Sequence, residues 1–313
     1  MTGSFVLYCI VNVAVALLVS PLFMGLIKKV KAYAQRRRGP PLLQQYYSIA
    51  KLMRKERVYS SNASWIMRAT PYVSIIAMVV AALFVPLAFV PSPVDGIGNV
   101  ILFLYLLALA RFFMALAGLD AGSTFGGMGS SREMSISAVI EPITVMVFTA
   151  LAFILHTTNF HEMFRATAGT GFFMDPAFIL ISIPLFIVLI TETARIPVDN
   201  PETHLELTMI HEAMILELSG SDLALMELSH AVKQTLLMGI FINLLVPWGL
   251  SSDATLVGIA VGALSFLVKG AVLAFAIGVV ESSIAKLRLF NLPNVFMTAF
   301  FFSVLTLFLE VFK

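Results

Sequence analysis

Residues 5–27 read FVLYCIVNVAVALLVSPLFMGLI, and KKVK follows at once at 28–31. The stretch holds no charged side chain. As a helix it would be about 34 Å long, enough to cross a hydrocarbon core of roughly 30 Å. No Lys or Arg precedes it and three follow, the reverse of a cleavable signal peptide. A retained transmembrane helix with its N-terminus outside is therefore expected. Composition extends that reading to the whole chain. Of the 313 residues 59% are hydrophobic and only 12% charged, and the mean hydropathy is +0.95. Soluble domains carry about 25% charged residues, so lipid must be the solvent for much of this surface.

Seven further stretches of spanning length follow: Tyr72–Val90, Val100–Ala117, Ile136–His156, Ala177–Thr193, Ala231–Leu250, Leu256–Val280 and Pro293–Val311. The expected fold class is all-α integral membrane, a single polytopic domain over residues 1–313. It would have eight transmembrane helices, one interfacial helix and both termini outside. Charge supports the orientation: 11 of the 20 Lys and Arg residues fall between Lys28 and Arg68. Arg132, Arg195, Lys286 and Arg288 lie in other loops of the same side, while the opposite side has only Arg165 and Lys313. By the positive-inside rule the segments 28–71, 118–135 and 194–230 are cytoplasmic loops, and they hold nearly all the polar chemistry.

In the first loop Leu42, Tyr46, Ile49 and Met53 recur at helical spacing, flanked by Leu43 and Ala50. Gln44, Gln45, Ser48, Lys51 and Lys55 fill the other face, which describes an amphipathic helix lying in the interface. Such a helix serves either as a surface anchor or as a docking ledge for a soluble partner. The second loop, GLDAGSTFGGMGSSREMSISAVIEP at 118–142, lacks the Lys-Ser/Thr ending of a phosphate loop. Its glycines are expected to allow a tight turn and close packing. Glu141, followed by Pro142, would sit inside the fourth span, where a carboxyl group is costly unless paired, protonated or watered.

The third loop carries the densest acid. Glu192 to Glu227 holds 8 of the 18 acidic residues, with His204, His211 and His230 among or beside them. Asn200-Pro201-Glu202 is a good helix start. On a helix running on from there, Glu206 and Glu217 would lie within about 20° of each other. His211-Glu212 begins like a zinc-protease motif, but position 215 is isoleucine, so that motif fails. Two readings remain for the acids: structural ion pairs, with Arg195 compensating Glu192 or Asp199, or a proton-transfer chain of coupled carboxyl groups and histidines. Lys233 at the start of the sixth span, Lys269 within the seventh and Glu281 at its cytoplasmic end extend the second reading. A single cysteine, Cys9, excludes a disulfide framework and a cysteine-ligated cluster built by this chain alone. Neither a nucleophile elbow nor a dinucleotide fingerprint is present.

These motifs have a precedent. ETARIPVDNPETHLELTMIHEAMILELSG, the glycine-rich GLDAGSTFGGMGSSRE, RRRGPPLLQ and AKLRL resemble the membrane subunit shared by complex I (its chain 1) and the group 4 energy-converting [NiFe] hydrogenases of the formate hydrogenlyase type. The resemblance covers nearly the whole chain. It implies a non-catalytic subunit that anchors a peripheral redox arm and couples its chemistry to ion movement. Implied partners are hydrogenase large and small subunits, iron–sulfur subunits and antiporter-like membrane subunits. The [NiFe] centre and iron–sulfur clusters would sit in those partners, with no cofactor or metal in this chain. The implied location is the prokaryotic cytoplasmic membrane.

Residue by residue, Glu141, Glu192, Asp199, Glu202, Glu206 and Glu217 match the family's acidic pathway, and Arg132 and Arg195 match its arginines. His204, His211, Glu212, Lys269 and Glu281 join the relay as coupled acids, imidazoles and an ammonium at its flanks. On that basis Glu217→Gln would uncouple the complex. Arg36, Arg37, Arg38 and Gln44 are the expected docking residues. Two departures separate the branches. RRRGPPLLQ is shorter than the corresponding stretch of quinone-reducing members, and His204 replaces an acid while the interval from Glu206 to Glu217 is longer. Both favour the hydrogenase branch over a quinone-chamber subunit. A stand-alone antiporter would favour an internal repeat, and none is evident.

Overall fold

The computed structural model describes residues 2–90, 98–169, 175–200, 209–250 and 255–312. Eleven α-helices follow one another among them: α1 (Thr2–Ala34), α2 (Gln44–Met53), α3 (Trp65–Phe84), α4 (Val100–Asp120), α5 (Thr124–Leu155), α6 (Phe160–Gly169), α7 (Pro176–Glu192), α8 (His211–Ile215), α9 (Gly220–Leu245), α10 (Leu256–Ser283) and α11 (Leu292–Val311). No strand occurs among the described residues; one isolated bridge joins Asn99 to Asn159. Seven helices are long and apolar enough to cross a membrane: α1, α3, α4, α5, α9, α10, and α11 with the turn before it. The fifth expected span corresponds to α7, which is apolar but only 17 residues long.

Three boundaries differ from the hydropathy reading, each for a polar reason. The glycine-rich stretch is helical from Thr124 onward, so most of the expected loop 118–135 belongs to a 32-residue α5. Ser123 caps its start, its hydroxyl accepting from Gly126 N at 3.1 Å. The glycines act in a helix–helix crossing: a Cβ on Gly126 would strike the Gly118 carbonyl, and one on Gly118 the Ser130 hydroxyl. Likewise α9 starts at Gly220, eleven residues before the expected sixth span, so Glu227 and His230 are helical. The third difference is at α3, which ends at Phe84 rather than near Val90.

Beyond Phe84 the chain runs on unwound and buried between α1, α9 and α10. Irregular backbone survives in such surroundings only if its polar groups are satisfied by protein. Asn12 does most of this. Its amide donates to Ala82 O and to Val85 O (2.8 Å), and its carbonyl accepts from Leu87 N (2.8 Å). Tyr8 donates to Leu83 O at 3.0 Å and Asn243 to Pro86 O at 2.9 Å. Helices α1 and α10 run in parallel, with Phe23 against Gly270 and Val30 against Gly278. That packing carries Lys31 and Glu281 to the same end of the bundle.

Candidate functional site

Most of the ionisable side chains within the bundle gather at that one end. Arg111, the only charged residue of α4 before its terminal Asp120, is the hub. Its guanidinium grips both carboxylate oxygens of Glu192 and reaches Glu141 Oε1 at 2.9 Å, Ser137 Oγ at 3.3 Å and Glu133 Oε1 at 3.6 Å. Glu133, Ser137 and Glu141 are spaced by four, so a helical α5 presents all three on one face. Lys233 of α9 completes the group, its Nζ 2.8 Å from Glu192 Oε2. Three carboxylates thus share two cations. Glu192 is buried among them, Glu133 is partly buried and Glu141 is about half exposed.

A second cluster lies alongside. Arg195 is 1% exposed and contacts Glu281 Oε1 (3.3 Å), Gln234 Oε1 (2.7 Å) and the sulfur of Met24 (3.2 Å). Lys31 approaches Glu281 Oε2 at 3.5 Å. Asp199 is also buried. It accepts from Lys286 Nζ at 2.6 Å and from the backbone N–H groups of Asn200, Ile210 and His211 at 2.8 to 3.2 Å. Arg195 therefore compensates neither Glu192 nor Asp199, as the sequence suggested it could; the cations for those acids are Arg111 with Lys233, and Lys286. Three acids separated along the chain each find a basic partner from another helix or loop.

Two cavities meet at the hub. A small one of about 60 Å³, room for a few waters, is lined by Arg111, Glu133, Glu192, Asp199, His211, His230 and Lys233. The other, of about 360 Å³, lies between α4 and α5 and is lined by Tyr105, Thr144 and Glu141. Arg111 and Glu192 line both, so their ion pair is the partition between them. The Glu141 side chain is 49% exposed, on the side of the larger cavity.

The rings of His211 and His230 pack together at 4.5 Å between centroids, tilted by 46°. Burial pushes His211 down to about 4, with Lys233 adding to the effect and Asp199 opposing it. Glu212 moves the other way. Burial, Glu227 and Asp199 raise it to about 7, against the pull of Lys28. A neutral imidazole and a carboxyl group titrating near neutrality are thus sequence neighbours, and the imidazole lines the smaller cavity.

Among the expected relay residues, Glu141, Glu192, Asp199, His211, Glu212 and Glu281 share this end of the bundle. Arg132 holds the Met209 carbonyl at 2.8 Å. Glu202, His204 and Glu206 lie outside the described residues. One expectation is corrected. Glu217 does not continue a helix from Asn200: α8 stops at Ile215, and Glu217 is exposed in the turn before α9. Lys269 bonds Asn243 Oδ1 (3.2 Å), Val246 O and Trp248 O (both 2.9 Å), at the far end of α9. Asn243 is ten residues beyond Lys233, about 15 Å along the axis. Arg36, Arg37, Arg38 and Gln44 are exposed or partly exposed around the start of α2, consistent with a surface role. Sequence reasoning missed Arg111 and Glu133 as site residues. The signal was available: an arginine deep in an apolar helix demands an acid partner.

The profile of the NADH dehydrogenase family matches residues 6–311. The chain belongs to that family. Formate hydrogenlyase subunit 4 of Escherichia coli K12 is 31% identical over 300 residues, covering 96% of this chain and 97% of that protein. Hydrogenase-4 component C of the same strain is 31% identical over 293 residues, covering 94% and 92%. NADH-ubiquinone oxidoreductase chain 1 of Triticum aestivum is 26% identical over 248 residues, covering 75% and 74%. Each is by name one component of a larger assembly. A chain of the membrane-bound sulfane sulfur reductase, an archaeal respiratory membrane complex, shares the fold with a TM-score of 0.81 at 20% identity, over 98% of this chain and 99% of that one. With its seven apolar helices, this member of the NADH dehydrogenase family is a multi-pass inner-membrane protein.

Proposed function

We propose that this chain is the membrane anchoring and coupling subunit of a hydrogen-evolving, ion-translocating hydrogenase complex. Eight spans, with α7 as the short one, place both termini outside and the charged end at the cytoplasm. The peripheral arm docks there on α2 and the arginines before it. Hydrogen chemistry belongs to partner subunits, which hold the [NiFe] centre and the iron–sulfur clusters. Antiporter-like subunits adjoin within the membrane. This chain's own task is to pass a charge or proton displacement from the docking face into the bilayer through Glu212, His211, His230, Glu192 and Glu141.

One observation carries the reading: the Arg111–Glu192 pair stands between a small polar cavity and a larger one beside Glu141. Three carboxyl groups compete for two cations, and one guanidinium reaches all three. A charge arriving in the small cavity would change which of them Arg111 holds most tightly, Glu141 included. The greater identity to the hydrogenase and formate hydrogenlyase components favours this branch.

The test is purification in mild detergent through a tag on this chain, with partners identified and hydrogen evolution and ion uptake assayed in vesicles. A nickel-containing partner with hydrogen output is expected, and ion uptake lost in Glu192→Gln. Similarity to NADH-ubiquinone oxidoreductase chain 1 supports a second reading, a quinone-chamber subunit. Quinone reduction without hydrogen output would select it.

A further inference from the structure

The apolar stripe of α2 predicts Gln45 on its solvent side. The structure instead buries it, leaving it 7% exposed, while Leu43, Tyr47 and Met53 face outward. A buried primary amide must use both ends. Gln45 does: its Nε2 donates to Glu227 Oε2 at 3.0 Å, and its Oε1 accepts from Lys28 Nζ at 3.4 Å. One side chain thereby ties the interfacial helix to α1 and to α9.

The groups beyond Glu227 give that contact a consequence. Glu227 acts on Glu212 by charge repulsion, and the other charged groups acting on Glu212 are Asp199, also repelling, and Lys28, attracting. Glu227 is three residues before His230, whose ring packs at a tilt against His211 at the small cavity. We infer that Gln45 is a positioning residue that sets, from the interfacial helix, which of Glu212 and Glu227 holds the proton at the mouth of the relay. The inference rests on the relay proposed for this chain and adds its control point.

The physical sequence is short. The N–H from Gln45 supports negative charge on Glu227, and a charged Glu227 keeps the proton on Glu212 by repulsion. If α2 shifts and the contact opens, Glu227 loses that donor and competes for the proton. Glu212 then releases it more easily. A partner that displaces α2 on docking, or during turnover, would move a proton between two carboxyl groups without touching either.

Infrared titration of the protonated carboxyl band tests this in the assembled complex, with the Glu212 signal assigned by its loss in Glu212→Gln. Gln45→Leu should lower the Glu212 midpoint from near 7 by on the order of one pH unit. Gln45→Asn, whose shorter amide falls short of Glu227, should shift it the same way, which keeps the test decisive if Gln45→Leu assembles poorly. An unmoved or raised midpoint in either assembled variant overturns the inference. Ions moved per hydrogen evolved are measured in parallel. Shifted midpoints with unchanged coupling would uphold Gln45's control while removing the relay reading. Fixed midpoints with normal coupling in native protein would do the reverse.

Discussion

The two ends of the bundle use similar residues for different work. At the end shared by Lys31 and Glu281, cations face carboxylates: Arg111 and Lys233 on Glu192, Arg195 on Glu281, Lys286 on Asp199. At the other end, Tyr8, Asn12 and Asn243 bond main-chain carbonyls that α3 leaves unpaired, and Lys269 bonds those left by α9. Carbonyl oxygens are fixed dipoles that do not titrate; carboxylates exchange protons. An ionisable group inside a membrane is a functional candidate by default. Its partner separates the two cases: Lys233 pairs with the carboxylate of Glu192, whereas Lys269 bonds carbonyls at the end of α9.

Removing the hub should break the comparison most strongly. Arg111→Met leaves the buried Glu192 with Lys233 as its one cation, a loss of about 3–5 kcal/mol when a buried partner is deleted. A large fall in detergent melting temperature and loss of ion uptake are expected. A variant that stays stable and coupled would show that the two ends do not differ as described. Lys269→Met should cost about 1.5–3 kcal/mol, the range for a hydrogen bond to a charged group. Its ions-per-hydrogen ratio should stay native once the protein is assembled. A collapsed ratio in well-assembled protein would bring the far end into the relay.

The pH response sharpens the same contrast. Glu212 is raised in the fold to about 7, above the ordinary carboxylate value near 4.3. Between those two values the unfolded state has released a proton that the folded state still holds. Stability therefore falls with rising pH across that window and levels off above about 7. Glu212→Gln should remove that slope from a melting series, and an unchanged slope would assign it to another group. The smallest effect is expected at Glu217, which lies exposed in the α8–α9 turn. Glu217→Gln should change stability by less than about 0.5 kcal/mol and leave ion uptake intact. Loss of uptake there would instead support the place in the acidic pathway that the resemblance gave it.

Spans were legible because their physics is local: hydropathy needs only consecutive residues, and the positions of α1, α4, α10 and α11 follow from it. Part of the site was legible too. Glu141, Glu192 and Asp199 stand out because a carboxyl group beside or within an apolar stretch demands explanation. The break between Ile215 and Gly220 was hidden, since apolar residues on both sides of Glu217 read as one continuing helix. Gln45 was hidden for a related reason. Periodicity says which side chains share a face of α2, and that face then turns toward whatever the rest of the bundle offers, here the carboxylate of Glu227 and the ammonium of Lys28.

By itself, then, the sequence determined a helical membrane protein, the approximate place of its spans and the crowding of acids in one segment, because composition and spacing act over a few turns of chain. Only the tertiary structure decided which acid meets which base. Arg111 and Glu192 are 81 residues apart, Gln45 and Glu227 are 182 apart, and no periodicity reaches so far. Charge pairing inside a low-dielectric bundle is set by which helix faces happen to pack together, and that is a property of the whole fold.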